Sequence, residues 1–276
     1  MTTGVVLHAF GGDKFDYYTI ADNCTKLVTK FLGLPVTLVT DKEPVNRSLY
    51  DQVILSASLA TWSRTLVVRD DTSSEYKEKT MKYPFKNDTR ALSLELSPYD
   101  VTILLDSDYL VFNSELLKFV TLDCDFLCPW LAHDITGKGG YEGFRYINDT
   151  IPQAWATVVI FNKSIASRAI FDYWKLIQKN YEYYQALMLI NSHFRNDYAL
   201  SLAAHTLNGC RPLDEKLPPM MMLPARNYIE RIDTNKNIII NCMDTIIKVS
   251  NTNLHVMNKL CLQSQSICQD IDALTS

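Results

Sequence analysis

The chain has 276 residues, 47% of them hydrophobic and 21% charged, the balance of a folded globular protein and not of a disordered tail. Lysine and arginine total 27 against 31 for aspartate and glutamate, a net charge of −4. That excludes a protein that coats nucleic acid by bulk charge, because neutralising phosphates takes an excess of Lys and Arg.

Residues 4–10 form a short apolar run that ends in Gly11-Gly12-Asp13, a strand followed by a turn. Ile20, Cys24, Leu27, Val28 and Phe31 then recur at helical spacing, and Gly33 is a stop signal. A second strand over residues 35–40 ends at Asp41. Strand, helix and strand in this order make a βαβ unit, whose crossover implies parallel strands. Residues 52–57 and 65–69 read as strands and residues 70–82, polar and charged, as an exposed loop. A short helix from Asp88 carries Ala91, Leu92, Glu95 and Leu96 and stops at Pro98.

The strongest strand signal is Val101-Thr102-Ile103-Leu104-Leu105, which runs into Asp106-Ser107-Asp108. Tyr109-Leu110-Val111-Phe112 follows, with Asn113-Ser114 as a helix cap. Residues 125–130 and 154–161 read as strands, separated by a Gly-rich loop over residues 137–143. Ser164 caps an amphipathic helix with Ile165, Ala169, Ile170, Tyr173, Trp174 and Ile177 on one face. Residues 181–190 predict an aromatic-rich helix, and Asn196-Asp197 open another that ends at Gly209. Apolar runs at 238–240 and 246–249 precede Asn253-Leu254-His255.

No apolar run approaches the ~18 residues of a membrane span, and the N-terminus lacks the basic region and cleavage site of a signal peptide. The seven cysteines include no CxxC pair, which predicts reduced, mostly buried thiols in a cytoplasmic protein. Together these elements predict one α/β domain with a mixed sheet, its C-terminal half elaborated for a second ligand.

The chemistry concentrates at Asp106-Ser107-Asp108. A buried strand delivers its following residues to the carboxyl edge of the sheet, where open α/β sheets bind ligands. Alternate residues of an extended chain point the same way, so both carboxylates can face one point. Like charges converging there are unfavourable unless a cation sits between them. Mg²⁺ or Mn²⁺ carrying a diphosphate suits that role, since hard cations take carboxylate and phosphate oxygens together. Taken alone, the motif is equally well read as a strand end followed by a solvated turn.

The segment Arg90-Ala91-Leu92-Ser93-Leu94-Glu95-Leu96-Ser97-Pro98-Tyr99-Asp100, leading into Leu104-Leu105-Asp106-Ser107-Asp108-Tyr109-Leu110-Val111, resembles the donor-site core of the GT-A nucleotide-diphospho-sugar transferases. The likeness is greatest to the glycogenin-like branch and related proteins of phages and bacteria. The resemblance implies a Rossmann-like GT-A domain over residues 1–276 with a mixed, mostly parallel sheet. Residues 1–112 would form the nucleotide-sugar and metal half, and residues 113–276 the acceptor-side half. It implies that Asp106 and Asp108 bind metal and donor, that Arg90 contacts the donor sugar or phosphate, and that the loop after the first strand holds the nucleotide through Phe10, Gly11, Asp13 and Tyr17. Asp41 is a further candidate nucleotide contact.

The family's third metal ligand is a His in a His-x-x-Gly-x-x-Lys pattern, and His255-Val256-Met257-Asn258-Lys259 stands in that place. Asn258 replaces the Gly, and the Lys arrives four residues after the His instead of six. His255 is thus the expected third ligand, with Lys259 a candidate diphosphate contact. A His beside two carboxylates suits Mn²⁺ better than Mg²⁺. By the same resemblance, residues 154–162 line the sugar pocket, and Asn196-Asp197 lie beside the reacting carbon. Asp197 is then the base of an inverting reaction, or a positioning group in a retaining one; as an N-terminal helix carboxylate it is equally well explained by the helix dipole. Residues 43–85 and 205–235 have no counterpart.

The expected activity is metal-dependent transfer of a sugar from a nucleoside diphosphate sugar to an acceptor, which could be a glycan, a modified nucleic-acid base, a lipid or a protein. Two alternatives stand beside it. One is a phosphatase of the haloacid dehalogenase type, with Asp106 as nucleophile. The other is a catalytically degenerate nucleotide-binding or scaffold domain.

Overall fold

The structure is a computed structural model that describes residues 1–12, 14–57, 62–70, 77–120, 125–137, 143–148, 150–190, 192–209, 217–242 and 245–276. The N-terminal part contains β1 (Thr3–Ala9), α1 (Tyr17–Leu32), β2 (Val36–Thr40), β3 (Gln52–Leu55), β4 (Trp62–Asp70), β5 (Lys77–Phe85), α2 (Ser93–Leu96), β6 (Val101–Asp106) and β7 (Tyr109–Leu110). It continues through β8 (Phe126–Leu127), β9 (Leu131–Asp134), β10 (Gly143–Phe144), β11 (Val158–Asn162), α3 (Ile165–Lys179), α4 (Tyr181–Leu187) and α5 (Asn196–Leu207). The C-terminal part adds β12 (Met220–Leu223), β13 (Tyr228–Ile232), β14 (Asn237–Cys242), β15 (Thr245–Ser250), β16 (Leu254–Val256), α6 (Lys259–Leu262) and α7 (Gln265–Thr275).

The central sheet has the order β3-β2-β1-β6-β11-β8. Strands β3, β2, β1 and β6 run parallel, while β11 is antiparallel to both β6 and β8. This is the mixed, mostly parallel α/β sheet expected from the sequence. β1 and β6 are buried on both faces, which is why they read as continuous apolar runs. Val5, Leu7, Ile103 and Leu105 pack with α1, α7 and the C-terminal strands, whereas Val6 and Leu104 pack with α3 and α5. Asp16 opens α1 by accepting from the backbone N–H groups of Tyr18 and Thr19 at 3.1 and 3.2 Å, and Gly33 closes it at φ 62°.

A second sheet, β10-β9-β12-β16-β7, crosses the chain end to end: β12 joins β9 and β16 in parallel, and β16 pairs antiparallel with β7. Because β7 follows β6 after only Ser107 and Asp108, the Asp-x-Asp turn is the corner between the two sheets. A third sheet, β13-β14-β15, and the β4-β5 hairpin complete the strands described.

Several expectations are corrected. Residues 77–82 belong to β5 and pair with β4 in one continuous register, so the polar stretch read as an exposed loop lies partly in a hairpin; its charged residues hid the strand. The strand expected over 125–130 shortens to β8, and that over 154–161 begins only at Val158. Asn113-Ser114 opens a single 3₁₀ turn, Glu115–Lys118, and Ser114 makes no cap hydrogen bond. β9, β12, β13, α6 and α7 had no sequence reading; the first four span only four or five residues, whereas α7 carries the signal of a Ser264 cap followed by Ile267, Ile271 and Leu274 at helical spacing. Asp13 and residues 138–142 of the Gly-rich loop lie outside the described residues. Among the described residues no helix is long and apolar enough to cross a membrane.

Gly4 of β1 faces the Tyr99 ring so closely that an added Cβ would lie 2.3 Å from it. The ring cannot swing away freely, because its hydroxyl is 2.9 Å from Thr37 Oγ1 in β2. Tyr99 leads directly into β6. Gly4→Ala is therefore expected to lower stability by about 1–3 kcal/mol through overpacking, measured as a fall in the urea midpoint with the m-value unchanged.

Candidate metal and donor site

β6 ends at the carboxyl edge of the parallel strands with Asp106, in register with His8 of β1. Asp106 Oδ1 accepts from Arg90 Nη1 at 2.9 Å and from Asn87 Nδ2 at 3.2 Å. Arg90 is only 1% exposed. It also donates to the carbonyls of Leu105, at 3.0 Å, and Ala156. A buried guanidinium needs this many acceptors to offset its lost hydration.

The 3₁₀ turn Asp88–Leu92 that carries Arg90 is tied down from three directions. His8 Nδ1 is 2.8 Å from Thr89 Oγ1 and His8 Nε2 2.9 Å from Ser93 Oγ. Asn196 Nδ2 donates to Asn87 O at 2.7 Å and Gln178 Nε2 to Asp88 O at 2.8 Å. Burial, and then the Arg90 charge, hold the His8 pKa well below the usual histidine value, so the imidazole is neutral. Neither His8 nor Asn87 was singled out from the sequence; the available signal was one imidazole inside the otherwise apolar run Val5-Val6-Leu7-His8-Ala9.

Asp108 is 4% exposed. It sits where β16 docks on β7, and its carbonyl accepts from Val256 N at 2.9 Å. That docking brings His255 Nε2 to 3.4 Å from Asp108 Oδ1, while Lys259 Nζ, from the first turn of α6, lies 2.5 Å from Oδ2. Burial alone would raise the Asp108 pKa; the Lys259 and His255 interactions outweigh it and hold the carboxyl well below the usual range. β16 is itself aligned by Asn253, whose Oδ1 accepts from Phe112 N at 2.8 Å and Asn113 N at 3.1 Å.

Asp106, Asp108 and His255 each offer a ligand atom, and these lie within 4.8 Å of one another. On an ion with bonds of about 2.1 Å, neighbouring ligands are about 3.0 Å apart and opposite ones about 4.2 Å, so a divalent cation on these three groups would draw them closer together. Two carboxylates and an imidazole are a donor set suited to a divalent cation.

The other residues singled out from the sequence lie around this centre. Gly11 N donates to Asp41 Oδ1 and Oδ2 at 3.1 and 3.3 Å, and Tyr18 Oη donates to Oδ1 at 2.5 Å. Despite desolvation, those bonds lower the Asp41 pKa. Lys86, next to Asn87, donates to Gly11 O and so joins this loop to the Arg90 segment. Phe10 is buried in the core, beside Ala91 and Leu94. Tyr17 packs against Phe15, and the small cluster of Phe15 and Ala225 is also covered by Met257 and Leu260, placing the loop after β1 against the His255–Lys259 segment. Asp197 Oδ1 accepts from Ala156 N at 3.0 Å, and Oδ2 accepts from Arg195 Nη2 at 2.6 Å. Ala156 therefore bridges Arg90, through its carbonyl, and Asp197, through its N–H. Of the aromatic cluster, Trp174 and Tyr181 are core residues, whereas Tyr183 is exposed.

Replacing Arg90 by Met strands the Asp106 carboxylate and two carbonyls. The expected loss is about 3 kcal/mol of unfolding free energy, read by urea denaturation. The depressed Asp108 pKa contributes stability that is fully present above the unfolded value of about 3.9 and is lost as pH falls towards the folded value. The advantage of the native protein over Asp108→Asn is therefore expected to be constant near neutrality and to shrink below about pH 4, checked by denaturation across pH.

No family model matches the chain, and no curated protein sequence does. Among solved structures it is similar to the glycosyltransferase GlyE of Streptococcus pneumoniae TIGR4 in its apo form, at 13% identity over 78% of this chain and 45% of that one, with a TM-score of 0.41. It is also similar to the galactosyltransferase LgtC in complex with donor and acceptor sugar analogs, at 10% identity over 72% of this chain and 69% of that one, TM-score 0.44. A third likeness is to mouse xyloside xylosyltransferase 1, at 10% identity over 78% of this chain and 86% of that one, TM-score 0.44. The chain thus spans less than half the length of GlyE. These likenesses concern chain path, and the functional reading of the site rests on its own geometry.

Proposed function

We propose that this protein is a metal-dependent glycosyltransferase that moves a sugar from a nucleoside diphosphate sugar to an acceptor hydroxyl or amine. The single observation that carries the reading is the convergence of Asp106, Asp108 and His255 within 4.8 Å at the carboxyl edge of the parallel strands, where α/β sheets bind their ligands. Asp106, Asp108 and His255 would hold the cation, Mn²⁺ by preference and Mg²⁺ otherwise. When bound, the cation supplies Lewis-acid stabilisation of the departing diphosphate.

Arg90 adds fixed positive charge at the same place, and its bonds to the Leu105 and Ala156 carbonyls keep it from reorganising as charge develops. The loop after β1, with Phe10, Gly11, Asp13 and Tyr17, and Asp41 at the end of β2, hold the nucleotide; Asp41 rigidifies the loop through Gly11 N and Tyr18 Oη. In the transfer the bond between the anomeric carbon and the diphosphate oxygen breaks, its electron pair leaving with the diphosphate. The acceptor atom forms the new bond and loses a proton. Asp197 takes that proton or positions the sugar, its carboxylate being held by Ala156 N and Arg195. Acceptors compatible with the reading are a glycan, a modified nucleic-acid base, a lipid-linked sugar and a protein side chain. A cytoplasmic location belongs to the same proposal and is supported by the free thiols of Cys24, Cys128 and Cys268.

The test is mass spectrometry of the protein incubated with a panel of nucleotide sugars and Mn²⁺. Slow donor hydrolysis or transfer is expected with at least one sugar nucleotide, lost on chelation and reduced at least 100-fold in Asp108→Ala, the loss of one strong electrostatic contact in a transition state. Phosphate release from simple phosphomonoesters, with no sugar nucleotide consumed, would replace this reading with the phosphatase one.

A further inference from the structure

The two carboxylates of the Asp-x-Asp corner are already neutralised by the protein's own cations. Arg90 lies 2.9 Å from Asp106 and Lys259 lies 2.5 Å from Asp108. These two contacts differ in kind. Arg90 is held by two backbone carbonyls besides the carboxylate and cannot leave. Lys259 reaches Asp108 from the first residue of a one-turn helix, on a flexible stem that ends in a single point charge. Lys259 engages Oδ2, and His255 Nε2 faces Oδ1 of the same carboxylate, so a cation between Oδ1 and His255 would have to share that carboxylate with the ammonium. Two positive charges sharing one carboxylate repel, and in a partly buried site that repulsion is only weakly screened.

We propose that Lys259 is a resident counter-ion that competes with the divalent metal for Asp108 and passes to the diphosphate when the metal binds. The inference rests on the metal site proposed above. Before donor arrives, Lys259 satisfies a carboxylate that burial would otherwise leave uncompensated. When a divalent cation takes Asp108, the attraction of that carboxylate for Lys259 is weakened beside the very place where the donor's negative charge arrives, and the diphosphate draws the ammonium. Metal alone then binds weakly, and metal and diphosphate bind with positive coupling, each raising the affinity for the other by the same factor. The shortened spacing of His255-Val256-Met257-Asn258-Lys259 is what makes the exchange possible: it brings the ammonium onto the metal's own carboxylate.

The test uses Mn²⁺ alone, titrated by electron paramagnetic resonance, and then inorganic pyrophosphate at saturating Mn²⁺, titrated by calorimetry; neither probe requires turnover or knowledge of the donor. In Lys259→Met, Mn²⁺ affinity is expected to rise at least tenfold and pyrophosphate affinity at saturating Mn²⁺ to fall at least tenfold, whereas Lys259→Arg changes both less. Lys259→Gln, which keeps a hydrogen-bond donor towards Asp108, carries the same comparison if the Met variant is too unstable without metal. Unchanged or weaker Mn²⁺ binding in the variants overturns the competition. Tighter Mn²⁺ binding with unchanged pyrophosphate affinity overturns the transfer, leaving Lys259 a bystander charge. Failure of the metal reading itself is separate: Mn²⁺ binding of the native protein would then be absent, or indifferent to Asp108→Asn and His255→Ala.

Discussion

Two carboxylates brought to one sheet corner repel, and one of them, Asp108, is almost wholly removed from water. Such a group is tolerated only when opposite charge is delivered to it. The fold delivers cations to the pair from both directions along the chain: Arg90 to Asp106 from the turn that precedes β6, and Lys259 to Asp108 from the far C-terminal segment, with His255 beside it. The architecture around the corner can be read as the means of holding those groups in place.

On the Arg90 side, the holding is done by neutral polar contacts. A buried, uncharged imidazole clasps Thr89 and Ser93 on either side of Arg90, and side chains from α3 and α5 cap the backbone of residues 87 and 88. On the C-terminal side, the holding is done by strand pairing and by α1. β16 lies between β12 and β7. Asn23 in α1 donates to Leu262 O at 3.2 Å, and Asp16 N donates to Gln263 Oε1 at 2.7 Å. Residues from β1, α1, β6, β14 and α7 share one apolar cluster, so the ends of the chain pack against a common core. The site is therefore assembled late in sequence terms: its first ligands lie on the central strand, and its last arrive only when the C-terminal segment docks.

Much of the site was legible because its signals are local. A buried strand followed by Asp-x-Asp announces two carboxylates at a sheet edge, whereas Arg90 and His255 were singled out only through the resemblance to the GT-A transferases. The structure gathers Arg90, Asp106, Asp108, His255 and Lys259 at one corner. The partner of Lys259 was not legible, because a two-residue difference in spacing changes which oxygen a flexible ammonium reaches. His8 was passed over because in a strand it counts as one polar residue among apolar ones, and its partners lie 81 and 85 residues away. The hairpin strand β5 was missed for the opposite reason, since its charge masked a pairing that the backbone alone defines.

By itself the sequence determined the α/β class, the parallel β1–α1–β2 unit and the strand that carries the carboxylates. Each of these depends on periodicity or on neighbours within a few residues, and such interactions leave a pattern in the chain. Only the tertiary structure decided that β7 and β16 meet in a second sheet, that the Asp-x-Asp turn is the corner between sheets, and that both carboxylates already carry their own cations. Apart from the Arg90–Asp106 pair, those features rest on contacts between segments more than a hundred residues apart, such as Asn253 with Phe112 and Lys259 with Asp108. Their geometry is set by three-dimensional packing and leaves no periodic trace along the chain.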